Sequence, residues 1–540
     1  MKQVLTIIFG IGLSLISYAQ QEFHVFPKDH SETPGTQNGT GAINNPWDLQ
    51  TALSQKSDIV NSEDTIWLHQ GIYKGRFVST LQSLEANKFI TVSAFKNDKV
   101  ILNGNVNSPN RHVLEVKGKQ VIYKNIEITF LGEFSRHGKD ENFKVVTGLE
   151  HSSGQDCQFL NLKVYNNPGL GVGSWKQTGG TLFDGCVIYN NGYISKDGRG
   201  LGEGLYTQNI SNKTRVIRNC IIFNNYYKGI EVWSANANAK IDYVKNFEIK
   251  NNVIFNNGNP AQEFKDNLII ASGDKNGINI AKNVKVQTNI FYHNTDIKNA
   301  EINGDGASLT LGFIKYSPVE NIIIKDNIII GRNNALRILH AKSLIFEGNR
   351  IYSGYVNLQS SVLANIIDWK FKNNVYYTKK NSSFRIKGDK DYNLERWQSK
   401  FGLDEESTWK SIKQFDMKSV VSITKYQHKA LTYKVVLFNE DSKDIIADFS
   451  KPDLKAGLNF SIYDVENPNL VLKTGILPED LKITFPMQLS EFEKPIHNTA
   501  AEKTLSNFGV FVIEFEDQRT VQISEENPNF FKRFFSWLGF

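Results

Sequence analysis

A short pattern recurs down the middle of the chain: apolar, any, apolar, two more, then Asn or Cys, any, apolar. It reads Phe247-Glu248-Ile249-Lys250-Asn251-Asn252-Val253-Ile254, and again Val284-Lys285-Val286-Gln287-Thr288-Asn289-Ile290-Phe291. Further copies centre on Asn327, Asn349 and Asn374, with Cys186 and Cys220 in the slot earlier and weaker copies at Leu162 and Ile126. Successive centres lie 36, 24, 34, 32, 37, 38, 22 and 25 residues apart. Short alternating runs at variable spacing are strands joined by loops of different length, and such a unit buries its apolar face only by stacking on its neighbours. The pattern predicts an all-β chain built on a right-handed parallel β-helix. Stacked coils sit about 4.8 Å apart, so a buried Asn in one coil can bond the Asn above. The five Asn slots from 252 to 374 are expected to form such a ladder.

The 540 residues carry a net charge of only +6, which points to neither nucleic acid nor any other strongly charged partner. Lys2, the apolar run Val4 to Ile16 and the small-x-small site Ser17-Tyr18-Ala19 read as a signal peptide over residues 1–19. The mature chain is therefore expected in the periplasm, on the surface or outside the cell, as a monomer. No later run is long enough to span a membrane. Three Cys is an odd count for an exported chain. With no His at metal-ligand spacing, Cys157, Cys186 and Cys220 are read as buried thiols.

Residues 20–62 read as a leading segment whose helix, Pro46 to Leu53 with Pro in its first turn, caps the open end of the solenoid. Residues 63–412 hold the β-helix, with coils from Asp64 to about Tyr377. A helix phased on Leu394, Trp397 and Phe401 and stopped by Gly402 closes it. Residues 413–523 read as an antiparallel β-sandwich, with strands at 431–438, 460–465, 470–473 and 508–515. Residues 524–540 form an aromatic and basic tail.

Aligning coils by eye puts Gly171, Tyr206 and Glu231 in one outward column. Gly173, Gln208 and Trp233 fall in the next, with Glu203 and Lys228 at the edge. A shallow glycine floor, flat aromatic faces and several proton-transferring groups suit a sugar polymer. The insertion Gly192 to Gly202, with Asp197 and Arg199, is expected to wall this groove. Tyr206, Glu231, Glu203, Lys228 and Arg199 are the catalytic candidates. Gln208, Trp233, Trp175, Asn209 and His151 are the substrate-binding ones.

Residues 160–260 resemble a group of secreted bacterial β-helix proteins of the pectate-lyase-like superfamily. Their matching turn usually reads Arg-Gly-His-Gly-His-Gly-Ile-Tyr-x-Gln-Asn. Here it reads Arg199-Gly200-Leu201-Gly202-Glu203-Gly204-Leu205-Tyr206-Thr207-Gln208-Asn209, so Leu201 and Glu203 replace the two His. The resemblance extends over Asp64 to Thr129 and the closing Leu394-Glu395-Arg396-Trp397-Gln398. It implies the solenoid, and a superfamily of lyases, glycoside hydrolases, esterases, epimerases and non-enzymes.

Three chemistries follow. The first is a polysaccharide lyase acting on a uronate-containing glycan by β-elimination. Arg199 and Lys228 would neutralise the carboxylate or take the proton, and Tyr206 would act as base or acid if a cation lowers its pKa. Ca²⁺ is an optional cofactor held by Glu203 or Glu231. The second is a glycoside hydrolase with Glu203 and Glu231 at the inverting separation. The third is a glycan-binding protein without catalysis.

Overall fold

The computed structural model describes residues 20–299, 304–415, 418–452 and 454–516. The signal-peptide and tail expectations lie outside the described residues. Each coil contributes three strands, and coils stack in parallel register into three 12-stranded sheets. The first coil shows the order: Thr65–Leu68 in the first sheet, Gly71–Lys74 in the second, Phe77–Ser79 in the third. This is the right-handed parallel β-helix that the spacing predicts.

The slot residues stand where the chain turns from the first sheet to the second. Asn252, Asn289, Asn327, Asn349 and Asn374 are fully buried, and each of the first four donates its side-chain N–H to the next Asn oxygen at 2.9–3.1 Å. Each Nδ2 also donates to a carbonyl of the coil before, as Asn289 does to Ile249. The turn itself is made by the preceding residue, left-handed at Asn219, Asn251, Thr288, Asp326 and Asn373. The three Cys are free and buried, with Cys186 and Cys220 continuing the slot column.

A second ladder occupies the turn from the second sheet to the third. Asn167, Asn191, Asn225 and Asn257 bond one another and end on Asn267. Each of the first four follows another Asn in left-handed conformation: Asn166, Asn190, Asn224 and Asn256.

Both ends are closed. At the start, Glu22–Val25 extends the first sheet by pairing with Thr65–Leu68, so the leading segment is part of the solenoid. The capping helix is Leu49–Leu53, with Asp48 as its N-cap. Pro46 therefore precedes the helix rather than sitting in its first turn, because the Asp48 carboxylate captures the Thr51 N–H and sets the start. At the far end, strands continue past Tyr377 to Thr408–Ser411, and helix Leu394–Phe401 runs from the Asn393 cap to Gly402 at φ 64°. Its Trp397 is fully buried against Phe384 and bonds Asp404.

The C-terminal part has a five-stranded and a two-stranded antiparallel sheet around one apolar core. It lies on the outer face of the second sheet. There Tyr165, Tyr189, Phe223 and Phe255 stack at 4.8–5.1 Å and are covered by Val436, Phe438, Val465, Phe508 and Val510. Buried Lys434 reaches from this part to the Asn219 and Asn251 carbonyls. Residues 493–507 run as a strap along the turn that carries the second ladder. Their bonds reach Gly132, Asn166, Asn190, Tyr226, Asn259, Asn256, Asn294 and Thr295.

Candidate functional site

On the third sheet, the register places Glu115, Glu150, Gly173, Tyr206, Glu231, Ile269, Thr310 and Arg337 in one outward column. Gly173, not Gly171, therefore sits beside Tyr206, two residues from the expected pairing. The second ladder fixes this. Asn167 and Asn225 each stand five residues before a third-sheet strand, Val172–Ser174 and Ile230–Ser234, whereas the run Gly169 to Gly173 offers few side chains to mark a register.

The chemistry gathers where the turn meets this column. Buried Glu203 and Glu231 are hydrogen-bonded through their carboxyls, and Lys228 Nζ donates to Glu231 Oε1. Burial, the Glu231 charge and the bond between the carboxyls push Glu203 well above the usual carboxylate range, so it holds the proton of the pair. Burial alone would lower the Lys228 ammonium. The Glu231 and Asp266 carboxylates overcome that and raise it. Asp266 is in turn held by Arg337 at 2.6 Å and by Thr310. The two Glu are thus in contact, closer than the water-wide gap of an inverting hydrolase. Glu203 precedes its strand and stacks beside Lys228, so both carboxyls turn toward the same ammonium.

Tyr206 lies in the coil of Glu203, beside Glu231 of the next coil. Burial and the Glu231 and Glu203 charges push its phenol up, outweighing Gln208 and Lys228. The phenol therefore keeps its proton, opposite to the lowering expected from a nearby cation. The calcium expectation also finds no support: the pair is already met by an ammonium and a shared proton. Among the described residues, no group of three His, Cys, Asp or Glu could hold a metal.

Glu150 is a further carboxyl that the sequence reading missed. It is bonded by Trp175 Nε1 and faces His112 Nδ1 at 3.8 Å. A Cβ on Gly173 would meet its Oε2 at 2.5 Å, so the glycine makes the hollow it occupies. Burial raises Glu150 to about 7; the Trp175 bond opposes this and Glu115 adds to it. A carboxyl raised from 4.5 to about 7 on folding contributes stability at acid pH that is lost as pH rises through 7. Wild type should therefore lose stability relative to Glu150→Gln between these values, read as melting temperature against pH. A constant offset would show that Glu150 titrates alike in the folded and unfolded chain.

The remaining candidates divide. Trp175 and Trp233 are in the groove, half-buried, and Gln208 lies between them in the same column. Arg199 is on the hairpin Tyr193–Ile194/Gly200–Leu201, with its guanidinium 5.7 Å from the Tyr227 ring, which Lys228 also approaches at 4.7 Å. This hairpin is the expected wall. Buried Arg136 ties it to the solenoid and the strap through the carbonyls of Gly192, Asn166, Asn167 and Ile496.

His151 is not a groove residue. It is fully buried and points into the solenoid, since Glu150 takes the outward position and alternation sends its neighbour in. Asn209 is not one either, because its side chain closes a turn by donating to Lys213, Lys245 and Asn246 carbonyls.

No protein-family model and no curated protein sequence matches the chain. Similar solved structures include the pectate lyase Pel9A, at 15% identity over 75% of this chain and 83% of that one, TM-score 0.39. XylC in complex with xylose matches at 11% identity over 91% and 100%, TM-score 0.45. PfbA, a surface adhesin of Streptococcus pneumoniae, matches at 11% over 64% and 89%, TM-score 0.40.

Proposed function

We propose that the protein is an exported carbohydrate-active enzyme that cleaves a polysaccharide by acid–base chemistry at the Glu203–Glu231 pair. The observation that carries this reading is the pair itself. Two buried carboxyls share a proton beside an ammonium, in a groove bordered by Trp175, Tyr206 and Trp233. Neighbouring carboxyls held in opposite protonation states supply an acid and a base from one place. Glu203 would give its proton to the leaving glycosidic oxygen. Glu231, steadied by Lys228, would hold the positive charge that develops on the sugar ring, and the attacking water would pass its proton to the Glu203 carboxylate. Tyr206 would donate to a sugar hydroxyl.

Hydrolysis fits this face better than elimination. Its column and edge hold the carboxyls of Glu115, Glu150, Glu203, Glu231 and Asp266, while Lys228 and Arg337 are engaged by two of them. A uronate would meet acids there. Elimination is the second reading, favoured by His112. Burial lowers its pKa and it stands beside Glu150, so a neutral imidazole lies next to the groove carboxyls.

The test is incubation with acidic and neutral polysaccharides while reading reducing ends and ultraviolet absorbance together. Reducing ends without absorbance are expected. Absorbance rising in step would replace hydrolysis by elimination, and release from no polymer would remove the enzyme reading in favour of glycan binding.

A further inference from the structure

Beyond the acid pair, the groove runs on to residues that no reading of the sequence had singled out. Trp233 meets Phe313 edge to face, with ring centroids 5.0 Å apart at 83°. Phe313 follows the strand Leu309–Leu311 and is 53% exposed; Tyr316, three residues on, is 54% exposed. Large aromatic side chains left open to water on a well-packed solenoid mark a binding surface. The floor of this corner is small. Ala271 pairs with Trp233 in the next coil, and a Cβ on Gly273 would come within 3.5 Å of the Trp233 ring. Beside it, in the neighbouring column, stands the Arg337–Asp266–Thr310 cluster, with donors and acceptors for hydroxyl groups.

A similar corner lies on the other side of the acid pair. Trp175 and Tyr206 meet at 5.2 Å and 63°. Each corner offers a flat face for the C–H side of a sugar ring and a second ring at its edge. The two are separated along the solenoid axis, not across it. Strands Val172–Ser174, Leu205–Thr207, Ile230–Ser234, Leu268–Ser272 and Leu309–Leu311 are consecutive in the sheet. From the strand before Trp175 to the strand before Phe313 is four steps between coils, about 19 Å end to end, with Tyr206 and Trp233 in the neighbouring coils that carry the acid pair.

We infer that the Trp233–Phe313 corner is a sugar subsite, and that the glycan lies along the solenoid axis with residues seated on both sides of Glu203 and Glu231. The ligand is then an extended polymer engaged in its interior, not a chain end or a free monosaccharide. This rests on the proposed function for the place of cleavage, but the subsite stands on its own geometry.

The test is affinity electrophoresis through gels containing alginate, arabinoxylan or chitosan. It uses Glu203→Gln protein, so that the polymer survives, with and without Phe313→Ala. Ile446→Ala, which removes an exposed apolar side chain on the C-terminal part, serves as control. Retardation by at least one polymer, weakened about tenfold or more by Phe313→Ala and unchanged in the control, is the expected result. Equal retardation with and without Phe313, or none by any polymer, overturns the subsite. Oligosaccharides of increasing length report separately. With Glu203 restored, the Phe313→Ala deficit in kcat/KM should grow with chain length, and a deficit equal at every length also counts against it. Cleavage that ignores Phe313 removes this inference and leaves the proposed function standing. Phe313-dependent binding without cleavage by the wild type does the reverse.

Discussion

Glu203→Gln is expected to lower kcat by roughly 10²–10⁴, the usual contribution of a positioned proton donor. Gln keeps the size and can still donate to Glu231, so the groove should hold its shape while the transferable proton is gone. The pH profile separates chemistry from damage. Glu203 is raised by burial and by Glu231, so wild-type activity should persist through neutrality and fall on the alkaline side as that proton leaves. The residual activity of the variant should lack this limb. Stability should move the other way. A carboxyl raised on folding contributes stability that is present at acid pH and lost as pH rises through its folded pKa. The variant, with nothing to ionise there, should melt above the wild type in alkaline buffer. Glu231→Gln should be as inactive but less stable, because it leaves the buried Lys228 ammonium without its carboxylate. Full activity in Glu203→Gln would sink the acid–base assignment.

Asn289→Ala is expected to cost about 3–5 kcal/mol, a large share of the stability of any domain. The Asn289 oxygen accepts from both the backbone N–H and the side chain of Asn252, at 3.0 and 2.9 Å. Its amide donates to Asn327 at 3.0 Å and to the Ile249 and Gln287 carbonyls at 2.9 and 3.1 Å. Alanine would leave these groups without partners in a column that water does not reach. Each buried polar group left so costs about 1–3 kcal/mol, and partial relaxation keeps the sum below the full total. Asn283→Ala is the contrast: that side chain is exposed and bonds Asn246 on the outside, so the loss should stay near 1 kcal/mol, mostly from its left-handed backbone. Urea midpoints of the two variants measure the difference. Equal midpoints would mean that the inner ladder follows the coil stacking rather than supporting it.

The slot pattern made the solenoid and its inner ladder legible because Asn fills five successive slots, with apolar flanks that agree in nearly every copy. The far cap was legible because Asn393 and Gly402 are helix boundary signals of ordinary strength. The register of the groove was not, and the missed signal was local. Asn-Asn recurs at 166–167, 190–191, 224–225 and 256–257, and it marks the turn from which the third sheet is counted. Counting from it puts Gly173 and Glu231, each six residues past the second Asn of its pair, in one column; the Gly192 to Gly202 insertion hides the same count for Tyr206. Glu150 stayed hidden for a different reason. Its strand, Thr147–His151, is buried at all five positions, so alternation in the sequence does not tell in from out. The contact of Glu203 with Glu231 depends on side chains leaning off the end of a strand, which strand spacing alone does not describe.

The strap changes how the whole molecule comes together. In a solenoid each coil answers only to its two neighbours, so the array can fray or open from either end by degrees. Residues 493–507 bond a series of turns from Gly132 to Thr295 at once, and through Arg136 they also hold the hairpin beside the groove. These residues are made after every turn they hold. Until they arrive, the turns from Gly132 to Thr295 stand stacked but unlatched, and the groove wall lacks its anchor. The residues of the acid pair are made long before the strap, yet the pair acquires its fixed surroundings only when residues 493–507 come back across the turns beside it.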